Sequence, residues 1–135
     1  MNNDTATASQ YLRNWGYTCV FCREETVYSS TERGVKPLLD FIESGPDFSG
    51  FCVADKVVGK AAALLYVLLG VQEVYAPVMS ESALYTLAHN GIVPLCDLSV
   101  KSIRNRSGTG ACPMEETVAE IDEPRQALTA IQNKL

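Results

Sequence analysis

Residues 51–76 read FCVADKVVGKAAALLYVLLGVQEVYA and contain the pattern that decides the fold. An apolar strand at 51–54 is followed by a turn, a helix that opens near Gly59, and a second strand at 73–76. These elements make a βαβ unit. Because the helix is apolar on almost every side over 61–69, we expect it to be covered by the sheet on one face and by another part of the chain on the other.

The segments before this unit extend the pattern. Residues 18–22 (TCVFC) and 25–30 (ETVYSS) are rich in β-branched and aromatic residues and are close in sequence, so they predict a hairpin of two strands. A helix with apolar residues at helical spacing is predicted at 33–43. The small polar residues at 1–10 predict a flexible N-terminal segment.

The segments after it alternate in the same way. Ser80 is a good N-cap for a further helix. A strand follows at 92–98; because proline cannot donate a ladder hydrogen bond, Pro94 indicates that this strand either lies near a sheet edge or starts only at Leu95. Two more helices are predicted, beginning at Pro113 and near Glu123. The order of elements predicts an α/β fold of three layers, α/β/α, with a mixed sheet of about five strands.

Composition limits the class of protein and its partners. With 135 residues, 47% of them hydrophobic and 20% charged, the chain fits a single globular domain spanning 1–135. The formal net charge of −5 argues against general binding to nucleic acid or to anionic membranes. No apolar run reaches the roughly 18 residues that span a bilayer, and no signal peptide pattern is present. We therefore expect a cytoplasmic protein.

The cysteines favour reduced thiols over a disulfide framework or a metal site. Five is an odd number, and their spacing matches no framework. Cys19 and Cys22 form a C-x-x-C pair, but they lie in a predicted strand and so face opposite sides of the sheet, whereas redox pairs open a helix. Since His89 is the single histidine, zinc would need cysteines from distant strands. We expect neither a metal nor another cofactor.

A hairpin followed by two strand-to-helix units resembles the cytidine deaminase-like fold. In that family the first helix opens with His-Ala-Glu or Cys-Ala-Glu and the second with Pro-Cys-x-x-Cys, which supply three zinc ligands and a proton-shuttling glutamate. Here the corresponding positions read GKAA at 59–62 and PVMSE at 77–81. The resemblance therefore implies the fold without the means for zinc-dependent deamination.

A closer resemblance rests on DKVVGKAAA at 55–63, a serine after the next strand, and IRNRSGTGACPMEE from residue 103 on. Together these segments look like a family of uncharacterised bacterial proteins that carry this fold without its zinc. The similarity covers most of the chain from Tyr17 on. It implies the fold and states no reaction.

Candidate binding residues lie at the predicted carboxyl ends of the parallel strands. Lys60 would be a cation at a helix N-terminus, where the helix dipole favours negative charge, so a bound anion or a nearby carboxylate is expected to compensate it. The arginines of the glycine-rich loop suit phosphate or carboxylate. The predicted site comprises Asp55, Lys60, Ser80, Arg104, Arg106, Cys112 and Glu115.

Three functions are consistent with these residues. The leading hypothesis is a domain that binds a small anionic or nucleotide-like ligand. A second is an enzyme that uses Lys60 or Cys112 as nucleophile in covalent transfer, with Cys112 favoured by its position just before a helix and disfavoured by the distance expected to His89. A third is an interaction module that forms a homo-oligomer through apolar helices and an edge strand.

Overall fold

Residues 1–104, 108, 110 and 112–135 are described by this computed structural model, and they form six helices and six strands. In chain order these are α1 (Asn3–Trp15), β1 (Cys19–Arg23), β2 (Thr26–Ser30), α2 (Lys36–Ser44), β3 (Cys52–Asp55), β4 (Val57–Val58), α3 (Lys60–Leu69), β5 (Glu73–Ser80), α4 (Glu81–His89), β6 (Val93–Val100), α5 (Pro113–Val118) and α6 (Pro124–Lys134).

The strands form one mixed sheet. The hairpin of β1 and β2 is antiparallel, and β1 also pairs antiparallel with β3. Strands β3, β4 and β6 are parallel to β5. Because β6 pairs with β5 along its length, β3 and β4 share the opposite side of β5, and both keep the same register with it. The order across the sheet is thus β2, β1, β3 with β4, β5, β6, which confirms the predicted mixed sheet and the position of β6 at an edge.

Helices cover both faces of the sheet and confirm the α/β fold class. On one face, Ala8 and Leu12 of α1 pack against Val20, Ala54 and Tyr75. The other helices lie on the opposite face, where the larger core contains alternate residues of the same strands, such as Phe21, Val53 and Val74. Cys19 belongs to the larger core and Cys22 to the α1 side, as the strand assignment of the C-x-x-C pair predicted.

Helix α3 lies in the middle of the larger core. Seven of its residues are buried, including the consecutive run 61–66. The sheet covers one side of the helix, and α6 covers another with Ala127 and Ile131, which are fully buried. The prediction that an all-apolar helix needs cover on two faces is confirmed.

The structure corrects the prediction of a flexible segment at 1–10, because most of that segment belongs to α1. The Asn2 side chain caps this helix by accepting a hydrogen bond from the Asp4 backbone N–H at 2.9 Å. Thr5 and Ala8 are fully buried against the sheet. Small side chains make this contact, so the apolar stripe that normally reveals a packed helix is faint in the sequence.

Several element boundaries also differ from the prediction. Helix α2 begins at Lys36 and not at residue 33, since Gly34 adopts a left-handed conformation with φ of 69°. Strand β5 extends beyond 76 to Ser80. Within the described ranges, no helix combines the length and apolar character that crossing a bilayer requires.

Candidate functional site

A cavity of about 750 Å³ opens at the carboxyl end of β3, where α3 begins. Its walls are mainly apolar and come from the start of α2, the start of α3, and the start of α5. Val35, Ala62 and Met114 represent these three walls. Clefts at the carboxyl ends of parallel strands are where α/β proteins commonly bind ligands, so this cavity is the candidate site.

The carboxylate of Glu115 occupies the N-terminus of α3. Its Oε1 accepts the backbone N–H of Lys60 at 2.7 Å, and its Oε2 accepts that of Ala61 at 2.8 Å. A Cβ atom at Gly59 would lie only 2.5 Å from the carboxyl carbon of Glu115, so the glycine makes room for this side chain. The anion expected at this helix end is thus a side chain of the protein itself.

Lys60 does not line the cavity. Its ammonium donates to the carbonyl oxygen of Ala119 at 3.1 Å and forms an ion pair with Asp122 at 3.1 Å. Its contact with Glu115 is made by its backbone N–H, not by its charge. The structure therefore corrects the predicted site on this point: the Lys60 side chain ties α3 to the chain between α5 and α6.

Asp55 lies at the cavity wall as the last residue of β3. Its Oδ2 accepts the hydroxyl of Tyr66 at 2.6 Å. Burial raises the pKa of Asp55 from 3.8 to about 6, although Tyr66 and the backbone N–H groups of Lys56 and Val57 favour the ionised form. The cavity therefore contains a half-buried carboxyl group that changes charge near pH 6.

Cationic side chains lie at the exposed part of the cavity. Arg104, one of the candidate site residues, lines it, whereas Arg106 lies outside the described residues. Arg33, just before α2, and Lys56, just after β3, line it as well and were missed from the sequence. The sequence could have identified Arg33 as a candidate, because it lies at the start of a predicted helix that begins at this end of the sheet.

Ser80 and Cys112, two further predicted site residues, have different positions. Ser80 is buried and caps α4, accepting the Ala83 backbone N–H at 3.0 Å, and it does not line the cavity. Cys112 does line the cavity, at the N-cap position of α5. His89 is not among the lining residues and stacks on Tyr85 at the end of α4. The structure does not bring a thiol and an imidazole together there.

Metal-ligating side chains are not clustered in the part of the chain that the structure describes. No group of three or more His, Cys, Asp or Glu side chains there could hold a metal ion. The carboxylates nearest the cavity are instead engaged with the protein: Glu115 with two backbone N–H groups, and Asp55 with Tyr66.

The sequence matches a protein family, and the fold matches a solved structure of that family. A family model described as TM1506, Domain of unknown function (DUF1893), matches residues 7–135. The crystal structure of a DUF1893 family protein (TM1506) from Thermotoga maritima at 2.70 Å resolution superposes with a TM-score of 0.91. The two chains are 24% identical, and the match covers 100% of this chain and 92% of the other, so it demonstrates a shared fold. No curated protein matches.

Proposed function

Since the chain belongs to the DUF1893 family, which is defined as a domain of unknown function, we propose its function from the cavity: it binds a small anionic or nucleotide-like ligand. The cavity carries this proposal because it combines apolar walls, an inner carboxyl group and cations near the opening. Its volume of about 750 Å³ falls within the range typical of small-molecule sites.

The residues of the cavity suggest how such a ligand would lie. An apolar or planar body packs against Val35, Ala62 and Met114. A hydrogen-bond donor on that body reaches Asp55, whose carboxylate accepts such donors when ionised. An anionic group pairs with the guanidinium of Arg104 or Arg33, which suits phosphate and carboxylate alike.

Glu115 determines where the anionic group can bind. Both of its oxygens already accept backbone N–H groups, so the N-terminus of α3 is filled by a carboxylate. A second anion there would meet like charge. The arginines near the cavity opening are therefore the partners for the anionic group of the ligand.

The cytidine deaminase-like fold is part of the proposal, without its chemistry. A hairpin followed by parallel strands that alternate with helices supports the likeness. At the motif positions, Lys60 is directed at Asp122 and Ala62 is an apolar wall of the cavity, so neither supplies a zinc ligand or a proton-shuttling carboxylate. We propose that the domain uses this cavity for binding and not for zinc-dependent deamination.

Covalent transfer through Cys112 is a second candidate, because its side chain lines the same cavity. Lys60, the other nucleophile considered, is engaged with Asp122 and Ala119 away from the cavity. A covalent role for Cys112 predicts a mass adduct on its peptide after incubation with an electrophilic ligand analogue, whereas a binding role predicts none.

Calorimetric titration with nucleosides, nucleoside monophosphates and inorganic phosphate tests the proposal. The phosphorylated compounds should bind more tightly than the nucleosides. Arg104→Gln should weaken their binding by about 1.5 to 3 kcal/mol, the contribution of a charge-assisted hydrogen bond. Arg125→Gln is the matched control, because Arg125 is exposed on α6 and does not line the cavity.

Filling the cavity is a second test that is independent of charge. Ala62→Met should abolish binding, because the longer side chain extends into the space of the ligand. Ala130→Met on α6, which does not line the cavity, should leave binding unchanged. If no compound of the panel binds, or if Ala62→Met binds as well as wild type does, the cavity is not the site and the proposal fails.

A further inference from the structure

Two cysteines lie directly opposite each other at the amino end of β3, the end away from the cavity. In the antiparallel pairing of β1 and β3, Cys22 is the register partner of Cys52, and both are fully buried. Opposed residues of antiparallel strands have Cα atoms about 4.5 to 5.5 Å apart, within the range of about 4.4 to 6.8 Å that a disulfide requires. The strand pairing therefore places the two residues at a backbone separation that a disulfide can bridge.

Helix α1 covers this pair. Cys22 belongs to the small core that α1 forms with the sheet. Thr5 of α1 lies next to the Cys52 thiol, and its hydroxyl is fully buried without a hydrogen-bond partner among the described residues. Cys19, by contrast, lies on the opposite face of the sheet. Access to Cys22 and Cys52 thus depends on whether α1 is docked.

The docked helix keeps both thiols unreactive. Burial raises the pKa of Cys22 to about 11, and the charge of Asp4 on α1 acts in the same direction. Burial also raises the pKa of Cys52. Because the thiolate is the nucleophile, these thiols react slowly while α1 excludes water, and they become ordinary thiols when it leaves.

The contact that holds α1 is made mainly by small side chains. Its buried residues are Thr5, Ala8, Ser9 and Leu12, of which only leucine is a large apolar side chain. The opposite face of the sheet instead packs against several helices with a large aromatic and aliphatic core. A local opening of α1 therefore costs less free energy than unfolding of the domain.

We propose that Cys22 and Cys52 are a redox-responsive pair that α1 gates, and that they form a reversible disulfide when the helix opens in the presence of a peroxide. The Cys22 or Cys52 thiolate attacks a peroxide oxygen, which gives a sulfenic acid and releases water or an alcohol. The second thiol attacks that sulfur and expels water. Two thiols lose two electrons and two protons, and the peroxide is reduced.

The test is oxidation of the intact chain by hydrogen peroxide under native conditions, followed by peptide mapping. We expect loss of two hydrogen atoms from the intact mass and a cross-link between the peptides of Cys22 and Cys52. Cys22→Ser and Cys52→Ser should each abolish it. Leu12→Asp, which places a carboxylate under α1, should make the cross-link form roughly tenfold faster or more, because burying that charge favours the open state.

Leu128→Asp on α6 is the matched control, because it perturbs a half-buried leucine on the opposite face. It should leave the rate near that of wild type. Equal acceleration by both variants would show that global unfolding exposes the thiols, and a cross-link between other cysteines would show that this pair is not favoured; either result overturns the proposal. If Leu12→Asp does not fold, the rate of cross-link formation in the wild-type protein is measured in dilute urea instead. That rate should depend on urea clearly less steeply than global unfolding does, and an equally steep dependence would overturn the proposal.

Discussion

Helices α3 and α4 begin in different ways although each follows a parallel strand of the same sheet. In α4 the cap is local: Ser80 accepts the backbone N–H of Ala83, three residues further on. In α3 the N-cap residue Gly59 has no side chain, and the N–H groups of the first turn bind Glu115, which is 55 residues away from Lys60 in sequence.

The difference shows what each kind of cap contributes. A local cap satisfies one donor and depends on nothing else in the chain. The remote cap joins α3 to α5, and Glu115 also forms part of the cavity wall. Loss of the remote cap should therefore affect both the stability of the domain and the shape of its candidate site, whereas loss of the local cap should affect stability alone.

The largest effect is expected for Glu115→Ala. It removes two hydrogen bonds from a carboxylate to part-buried backbone N–H groups, so the free energy of unfolding should fall by about 3 kcal/mol. Urea denaturation measures this change. Glu116→Ala is the control, because Glu116 is the exposed neighbour on the same helix. A loss no greater than that of the control would mean that the remote cap contributes nothing.

Gly59→Ala should cost somewhat less, about 2 kcal/mol. The backbone at residue 59 is extended, with φ of −104° and ψ of −175°, so the cost comes from overlap of the new Cβ with the Glu115 carboxylate, which must move and lose its N–H partners. In a Glu115→Ala background the same change should be nearly neutral. A double-mutant cycle measures the coupling, and additive effects would contradict the contact.

Tyr66→Phe should destabilise the domain by about 1.5 kcal/mol at pH 8, by removing the hydroxyl that donates to ionised Asp55. At about pH 5 the loss should be smaller. Because the pKa of Asp55 is raised to about 6 in the fold, its carboxyl group is then protonated and gains less from that donor. A loss that does not change with pH would argue against a carboxyl group that ionises in this range.

The raised pKa of Asp55 also predicts how the stability of the wild-type protein changes with pH. Folded Asp55 holds its proton more tightly than unfolded Asp55, so its contribution to the free energy of unfolding should fall as the pH rises from about 4 to 6.

Tyr75→Phe serves as the control for Tyr66→Phe, because the partner of Tyr75, Asp97, is exposed on the edge strand. It should cost less at pH 8 than Tyr66→Phe does.

Ser80→Ala should have the smallest effect, a loss of about 1 kcal/mol, because it removes a single local cap. Ser82→Ala, on the first turn of the same helix, controls for the contact between the two hydroxyls. Ligand affinity should be unchanged, since Ser80 does not line the cavity. If Ser80→Ala costs as much as Glu115→Ala, the distinction between local and remote caps is lost.

Much of the fold and part of the candidate site could be predicted. The hairpin, the all-apolar α3, the edge strand β6 and the cap at Ser80 follow from residues near each other in the chain. Asp55 was assigned to the candidate site because it follows a predicted strand, and Arg104 because it belongs to a glycine-rich loop; both line the cavity. The first part of helix α1 was missed because small residues form its buried side, and Arg33 was missed because its loop carries no strong motif.

The sequence by itself determined most of the elements, their order and the end of the sheet where a site could form, because hydrophobic period, turns and local caps act over a few residues. Only the tertiary structure decided which distant groups meet. In the folded chain, Glu115 caps the N-terminus of α3 and Lys60 forms an ion pair with Asp122. Cys22 lies opposite Cys52 in the strand pairing. Those contacts depend on how separate elements pack and on strand register, and neither is encoded in any short stretch of sequence.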